Sequence, residues 1–245
     1  MTTQQTLRDI LAEFVGNPPG SVGVAVIHLR RAKERETTIR ALEAALEHPI
    51  ERFEAVDGMD AIEGGHPVVC ATEPGKMRSA GEIGCLLSHV ELMRQALAAG
   101  KTHMLVFEDD CRVGPEFSLA ALGSYLRRAA ELAEQFSVEG AKEFILLGTC
   151  GCYTWKFLTA GVKATDKFNG SHSYLIGKDM MEKFVGSYEH LLRSGVVVPA
   201  DGLLGLLLRS QKRWVLCPEN EVGLFIQDRE KPSYILGDGE LLRME

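Results

Sequence analysis

Apolar and polar positions recur along this chain with two different periods, and the places where the period changes mark its elements. Between Pro18-Pro19-Gly20 and Arg30, residues Val22 to Leu29 form an apolar run with the length and flanks of a buried strand. Residues Ala32 to Glu47 then set Ile39, Leu42, Ala45 and Leu46 on one helical face, and Ile50 to Ala55 returns to a strand pattern. Strand, helix, strand in that order opens a parallel sheet. Ala61 to Ala80, rich in Gly, Pro and polar residues, has no period and is expected to be a long loop of the functional kind.

Ser79 with Glu82 fits a capping box, and the helix it starts carries Ile83, Leu86, Leu87, Val90, Met93 and Leu97 as a core stripe closed by Gly100. His103 to Phe107 reads as a buried strand, and Phe117 to Phe136 as an amphipathic helix with Leu122, Tyr125, Leu126, Ala129 and Ala133 inward. Phe144 to Leu147 is a short buried strand, Gly148 to Ser171 reads as irregular, Ser173 to Gly177 as a strand and Lys178 to about Arg193 as a helix. The second half therefore departs from simple βαβ winding. At the front, Leu7, Ile10, Leu11 and Phe14 share a helical face opposite Arg8, Asp9 and Glu13. That is the pattern of a helix docked on the body; its single Arg gives little attraction for a lipid surface.

The 245 residues suffice for one large α/β domain or two small ones, and 45% apolar content is ordinary for a globular chain. A net charge of −7 and a pI near 5.6 argue against a general nucleic-acid surface, so no nucleic acid partner is expected. Val196 to Leu208 is too short for a membrane span and contains Asp201, which leaves at most peripheral membrane association. Cysteines 70, 85, 111, 150, 152 and 217 are scattered through apolar segments with no secretory leader ahead of them, the usage of a reducing, cytoplasmic setting. Cys150-Gly151-Cys152 is half of a zinc site or a redox pair on one reading. Without a second close Cys or His pair it reads better as buried thiols beside a turn.

The predicted strand Met104-Leu105-Val106-Phe107 stops on Glu108-Asp109-Asp110. Three acids at a strand end repel one another unless solvent separates them or a cation sits among them, which points to a divalent metal. If strand geometry persists, Glu108 and Asp110 share one side and form the better joint site. The competing reading is a solvated acidic turn that caps the next segment of the chain. A receiver domain is excluded, because the later strand Phe144 to Leu147 ends on Gly148-Thr149 without an acid.

The first strand runs into Arg30, Arg31, Lys33 and Arg35 at a helix start, where cations oppose the macrodipole and an anion such as diphosphate would relieve the conflict. Neutralisation by Glu34 and Glu36 on a solvated face is the equal alternative. His89 at the edge of its helix stripe is either a core histidine or a catalytic one, and Ser88 is equally ambiguous. No nucleophile elbow surrounds that serine. His172 precedes a strand from which it can reach toward a metal. Asp201 is either a helix N-cap or a functional carboxylate.

Taken in order, Val24 to Arg35, Ala55-Val56-Asp57-Gly58, Gly81-Glu82-Ile83-Gly84-Cys85 with Ser88-His89, Phe107 to Asp110, His172 to Ile176 and Pro199-Ala200-Asp201 resemble glycosyltransferase family 25, which includes lipooligosaccharide and collagen galactosyltransferases. The resemblance covers about Val22 to Tyr234. It implies a GT-A-like α/β domain over 21–245 behind an N-terminal helical extension over 1–20. Residues 21–150 would form a Rossmann-like nucleotide-binding half with a mixed central sheet, and 151–245 the acceptor side.

The resemblance further implies a UDP-sugar donor, usually UDP-galactose, a glycan or glycolipid acceptor, and Mn²⁺ or Mg²⁺. Glu108 and Asp110 would hold the metal with His172 as a further ligand; Asp109 would orient the donor; Arg30, Arg35 and Asp57 would lie near the nucleotide, with Ser88 and His89 also in the donor site. Asp201 would be the base of an inverting transfer. His28 stands where the family commonly has Asn, and Met93 where an aromatic often follows Ser-His. A nucleotidyl or phosphoryl transferase, or a non-catalytic binding module on the same fold, would use the same acids differently; the chain has no Walker-type loop.

Overall fold

Ten strands and seven α-helices arise from this pattern in a computed structural model that describes residues 5–18, 20–66, 79–135, 143–159, 162–196, 198–218 and 224–228, apart from the side chains of 153–159. The strands are β1 (Val22–His28), β2 (Glu51–Glu54), β3 (His103–Glu108), β4 (Cys111–Val113), β5 (Phe144–Gly148), β6 (Gly151–Thr159), β7 (Val162–Asn169), β8 (Ser173–Gly177), β9 (Val215–Pro218) and β10 (Phe225–Gln227). Eight of them form one mixed sheet in the order β2-β1-β3-β8-β5-β9-β7-β6, while β10 pairs antiparallel with β4. The α/β class with a mixed central sheet is as expected.

The helices are α1 (Leu7–Val15), α2 (Glu36–Leu46), α3 (Gly58–Glu63), α4 (Ala80–Ala98), α5 (Leu119–Gln135), α6 (Lys178–Arg193) and α7 (Ala200–Ser210). Successive strand residues face opposite ways, so each buried strand feeds two cores. Ala25, Ile27, Met104 and Val106 pack with α4, α6 and α7 on one face. Val24, Val26, Leu105 and Phe107 pack with α1, α2 and α5 on the other. The first helix docks as expected: Thr6 and Asp9 close a capping box at its head, and Leu7, Ile10, Leu11 and Phe14 are buried in the second core.

Two expectations need correction. Gly148 to Ser171 is not irregular: β6 and β7 pair antiparallel across it, with register shifts that blur the alternation a sequence pattern relies on. The loop expected from Ala61 to Ala80 starts inside α3, which Asp57 caps through Met59 N at 3.0 Å; its centre, 67–78, lies outside the described residues.

The predicted α4 is present with both arms of its Ser79–Glu82 capping box, but it is buried nearly all round, Ser88 and His89 included. Two glycines make this possible. A Cβ on Gly84 would sit 2.6 Å from the Val56 carbonyl oxygen, and one on Gly58 would collide with the Ala80 carbonyl, so α4 lies directly on the 56–58 backbone.

Candidate active site

Parallel pairing of β1 with β2 and β3 brings three carboxyl ends to one edge of the sheet, and the register sets Ile27 beside Glu108. Antiparallel β8 starts at that edge, next to Phe107, and carries Ser171 and His172 with it. Ligands of open α/β sheets collect at such an edge because the sheet fixes the roots of loops that are free to vary.

Glu108 ends β3, and the chain turns through Asp109 and Asp110 before β4. The three acids part company there. Glu108 Oε1 accepts from Ser171 Oγ at 3.2 Å and faces His89 Nε2 at 3.3 Å. Asp109 Oδ2 faces His28 Nδ1 at 3.0 Å and accepts weakly from Leu29 N at 3.4 Å. Asp110 Oδ2 accepts from Gln227 Nε2 at 3.0 Å, and its Oδ1 is buried with no hydrogen-bond partner among the described residues.

Their titration reflects this division. Burial drives the Asp110 carboxyl up to about 7, the neighbouring Glu108 charge adds to the rise, and Gln227 and Arg35 only partly offset it. Burial also raises Asp109, against the pull of His28 and Arg35. For Glu108 burial works upward too, but the His89 bond and the charges of His89 and His172 hold it below the usual carboxylate range. The Glu108 charge raises Asp110 more than the Asp109 charge does, although β3 ends at Glu108.

Of the basic exit from β1, only Arg35 enters the site. It is 1% exposed, with Nη1 3.9 Å from Asp109 Oδ1 and 3.7 Å from Asp110 Oδ2. Arg30 pairs with Glu54 in solvent, and Arg31 pairs with Asp57, which also caps α3. Glu36 pairs with Arg52 rather than with that cluster.

Ser88 is tied into the fold, donating to the Gly84 carbonyl at 2.6 Å and accepting from Val56 N at 2.8 Å. His89 lies within the site, held by Tyr174 Oη at 2.6 Å from its Nδ1 and stacked on that ring at 5.7 Å. His172 is not gathered with Glu108 and Asp110 as a ligand: its Nε2 is 3.3 Å from the Phe225 carbonyl, and its Nδ1 is 3.9 Å from Cys150 Sγ. It reaches Glu108 through its charge.

Asp201 sits in the first turn of α7, behind the cap residue Pro199. Its Oδ2 accepts from Gly170 N of the β7–β8 connection at 2.9 Å and its Oδ1 from Gly202 N of α7 itself at 2.7 Å. The Cys85 thiol is pushed well up, by burial first and then by the charges of Glu108, Asp201, Asp110 and Glu82.

Cys85, Tyr174, Ser171 and Gln227 are given no role in the site by the sequence expectations. The i, i+4 spacing of Cys85 and His89 on one helix face was a usable signal for the first. Gln227 had none, because only the β10–β4 pairing carries it to the acids. The close thiols also separate: Cys150 Sγ donates to Gln227 Oε1 at 2.9 Å, whereas Cys152 Sγ lies 3.5 Å from Cys217 Sγ.

A mixed sheet whose parallel strands end beside a cluster of three acids is the architecture of an α/β protein. The chain belongs to glycosyltransferase family 25: the family's sequence model, described as "Glycosyltransferase family 25 (LPS biosynthesis protein)", matches residues 22–204. It is similar to a "Glycosyltransferase 25 family member" of Anopheles gambiae, at 30% identity over 48% of this chain and 22% of that protein. A protein of the same description from Aedes aegypti is 29% identical over 58% of this chain and 24% of its own length. The chain thus spans about a quarter of these relatives. Among solved structures, UDP-glucose pyrophosphorylase complexed with UDP-glucose aligns with 89% of this chain and 76% of that one, at 10% identity and a TM-score of 0.34.

Proposed function

We propose that the protein is a metal-dependent hexosyltransferase that moves a sugar, galactose first among the candidates, from a UDP-sugar to a hydroxyl of a glycan or glycolipid, with inversion. The observation that carries this reading is the Glu108–Asp110 pair. Asp110 is buried, its carboxyl is pushed up to about 7 by that burial and by the Glu108 charge, and its Oδ1 has no hydrogen-bond partner among the described residues. Hard oxygen donors that repel one another, one of them a buried oxygen without a hydrogen-bond partner among the described residues, fit Mn²⁺ or Mg²⁺. Such an ion, when bound, supplies positive charge against the negative charge that grows on the departing diphosphate.

The chain's own residues divide the remaining work. Asp109, fixed by His28 and the Leu29 amide, presents its carboxylate for donor hydroxyls, and buried Arg35 offsets charge beneath both aspartates. Asp201 takes the proton of the acceptor hydroxyl: backbone N–H groups occupy one lone pair on each oxygen and leave another for that proton. His89 and Ser171 hold Glu108 in place. The reading places the reaction in the cytoplasm, with at most peripheral membrane contact. No helix among the described residues is long and apolar enough to cross a membrane.

The test is UDP uptake by calorimetry together with UDP release from a panel of UDP-sugars, with and without Mn²⁺. Cation-dependent uptake and transfer, both lost in Glu108→Gln, are expected. Correctly folded protein that takes up neither UDP nor a UDP-sugar with any cation would refute the proposal, and nucleotidyl or phosphoryl products would replace it with the other reaction class.

A further inference from the structure

Beside the Glu108–Asp110 pair lies a softer donor set that shares Glu108 and adds Cys85, a thiol that the proposed transfer does not use. Cys85 Sγ, a ring nitrogen of His89 and a carboxylate oxygen of Glu108 lie within 4.8 Å of one another. Cys85 and His89 stand one turn apart on α4 and so face the same way, while Glu108 comes from the end of β3. We propose that Cys85, His89 and Glu108 form a second cation site, selective for a thiophilic divalent ion such as Zn²⁺, whose filling withdraws Glu108 from the hard-cation site. The coupling rests on the reading of Glu108 as a donor-site ligand; the site itself does not.

The surroundings suit such an ion. A ligating histidine ordinarily has its second nitrogen held by a hydrogen bond, which fixes the tautomer and the ring plane. Tyr174 Oη does this at 2.6 Å from His89 Nδ1, and the stacked Tyr174 ring restrains the imidazole further. In the loaded form the ring proton sits on Nδ1 and is donated to Tyr174 Oη, which leaves the Nε2 lone pair for the ion; the Cys85 thiol proton goes to solvent.

Nε2 already faces Glu108 Oε1 at 3.3 Å, a separation found between two ligands of one tetrahedral ion, and Ser171 Oγ steadies that oxygen at 3.2 Å. Cys85 as a residue is only partly buried. Thiolate and imidazole favour zinc over magnesium or manganese, which prefer carboxylate oxygens. The two sites thus differ in softness while sharing one carboxylate, and an ion held by Cys85 and His89 draws the Glu108 oxygen and its charge away from the other site.

Co²⁺ alone, titrated into the full chain, reports the site through thiolate-to-metal charge-transfer absorption. The band is expected in the wild type, absent in Cys85→Ala and retained in Cys152→Ala, which controls for the other close thiols. His89→Gln should weaken Co²⁺ uptake about tenfold or more. Absence of the band, or a band indifferent to Cys85, would overturn the site.

The coupling is read from Mn²⁺-supported UDP binding with and without Zn²⁺ in each protein. Zn²⁺ should weaken it in the wild type and lose that effect in Cys85→Ala, whereas an equal Zn²⁺ effect in both would overturn the competition. If UDP binds under no condition, the transferase reading fails on that result, and the Co²⁺ spectrum still decides whether the second site exists.

Discussion

Arg35 Nη1 lies 3.7 Å from Asp110 Oδ2, with the arginine 1% exposed, so the basic exit of β1 and the acidic exit of β3 meet inside the protein. Removing one member of a buried charge group leaves the others uncompensated. Arg35→Met should therefore cost about 3–5 kcal/mol of stability, measured by urea denaturation without added cation. A loss below about 1 kcal/mol would mean that Arg35 does not hold these carboxylates.

Asp110 carries the clearest pH signature. Its folded pKa, about 7, stands above the unfolded value, so the stability it allows is complete in acid and is lost as pH rises through about 7. In cation-free protein, Asp110→Asn should raise Tm relative to wild type at about pH 8, and the gap should narrow below about pH 7 and close at about pH 4, the unfolded value. Mn²⁺ should raise the wild-type Tm more at the higher pH and leave the variant unmoved. A pH-independent gap would contradict the assignment.

Asp201→Asn keeps an oxygen for one of the two backbone N–H groups that anchor the carboxylate, so the fold and UDP binding should persist. Turnover should fall by about 10²–10⁴, the usual contribution of a general base. Loss of UDP affinity with unchanged turnover of bound donor would remove Asp201 from that role.

Ser88 ties α4 to the segment after β2 through its bonds to Gly84 and Val56. Ser88→Ala should cost about 1–3 kcal/mol and speed hydrogen exchange at the Val56 amide. A loss of UDP affinity without a loss of stability would return Ser88 to the donor site.

Cys152 is held down to about 7 by its bond with Cys217 and by the hydroxyls of Thr165 and Thr149 with Lys163, against partial burial. Cys85 and Cys111 are both pushed well up. Brief alkylation near neutral pH should therefore label Cys152 ahead of Cys85 and Cys111, as peptide mass spectrometry would show.

Much of the fold was legible because its strongest elements are long or sharply bounded. The Val22 and His103 strands, the docked N-terminal helix and the Ser79–Glu82 cap all come from local periodicity and capping chemistry. The β6–β7 hairpin was not legible, since its register shifts break the alternation, and β4, β9 and β10 are too short to carry a period.

At the site the sequence alone determined which groups are available: three acids at a strand end, an adjacent basic exit, a Gly-Glu-Ile-Gly-Cys helix start and a lone Asp201. Only the tertiary structure decided their roles. It buried Arg35 beneath Asp109 and Asp110, spent Arg30 and Arg31 on Glu54 and Asp57, turned His172 to Phe225, and brought Gln227 to Asp110 across the β10–β4 pairing. The physical reason is that periodicity and capping act within a few residues. The partner of a buried charge is chosen by which strand ends the sheet sets side by side, and chain separation does not enter that choice.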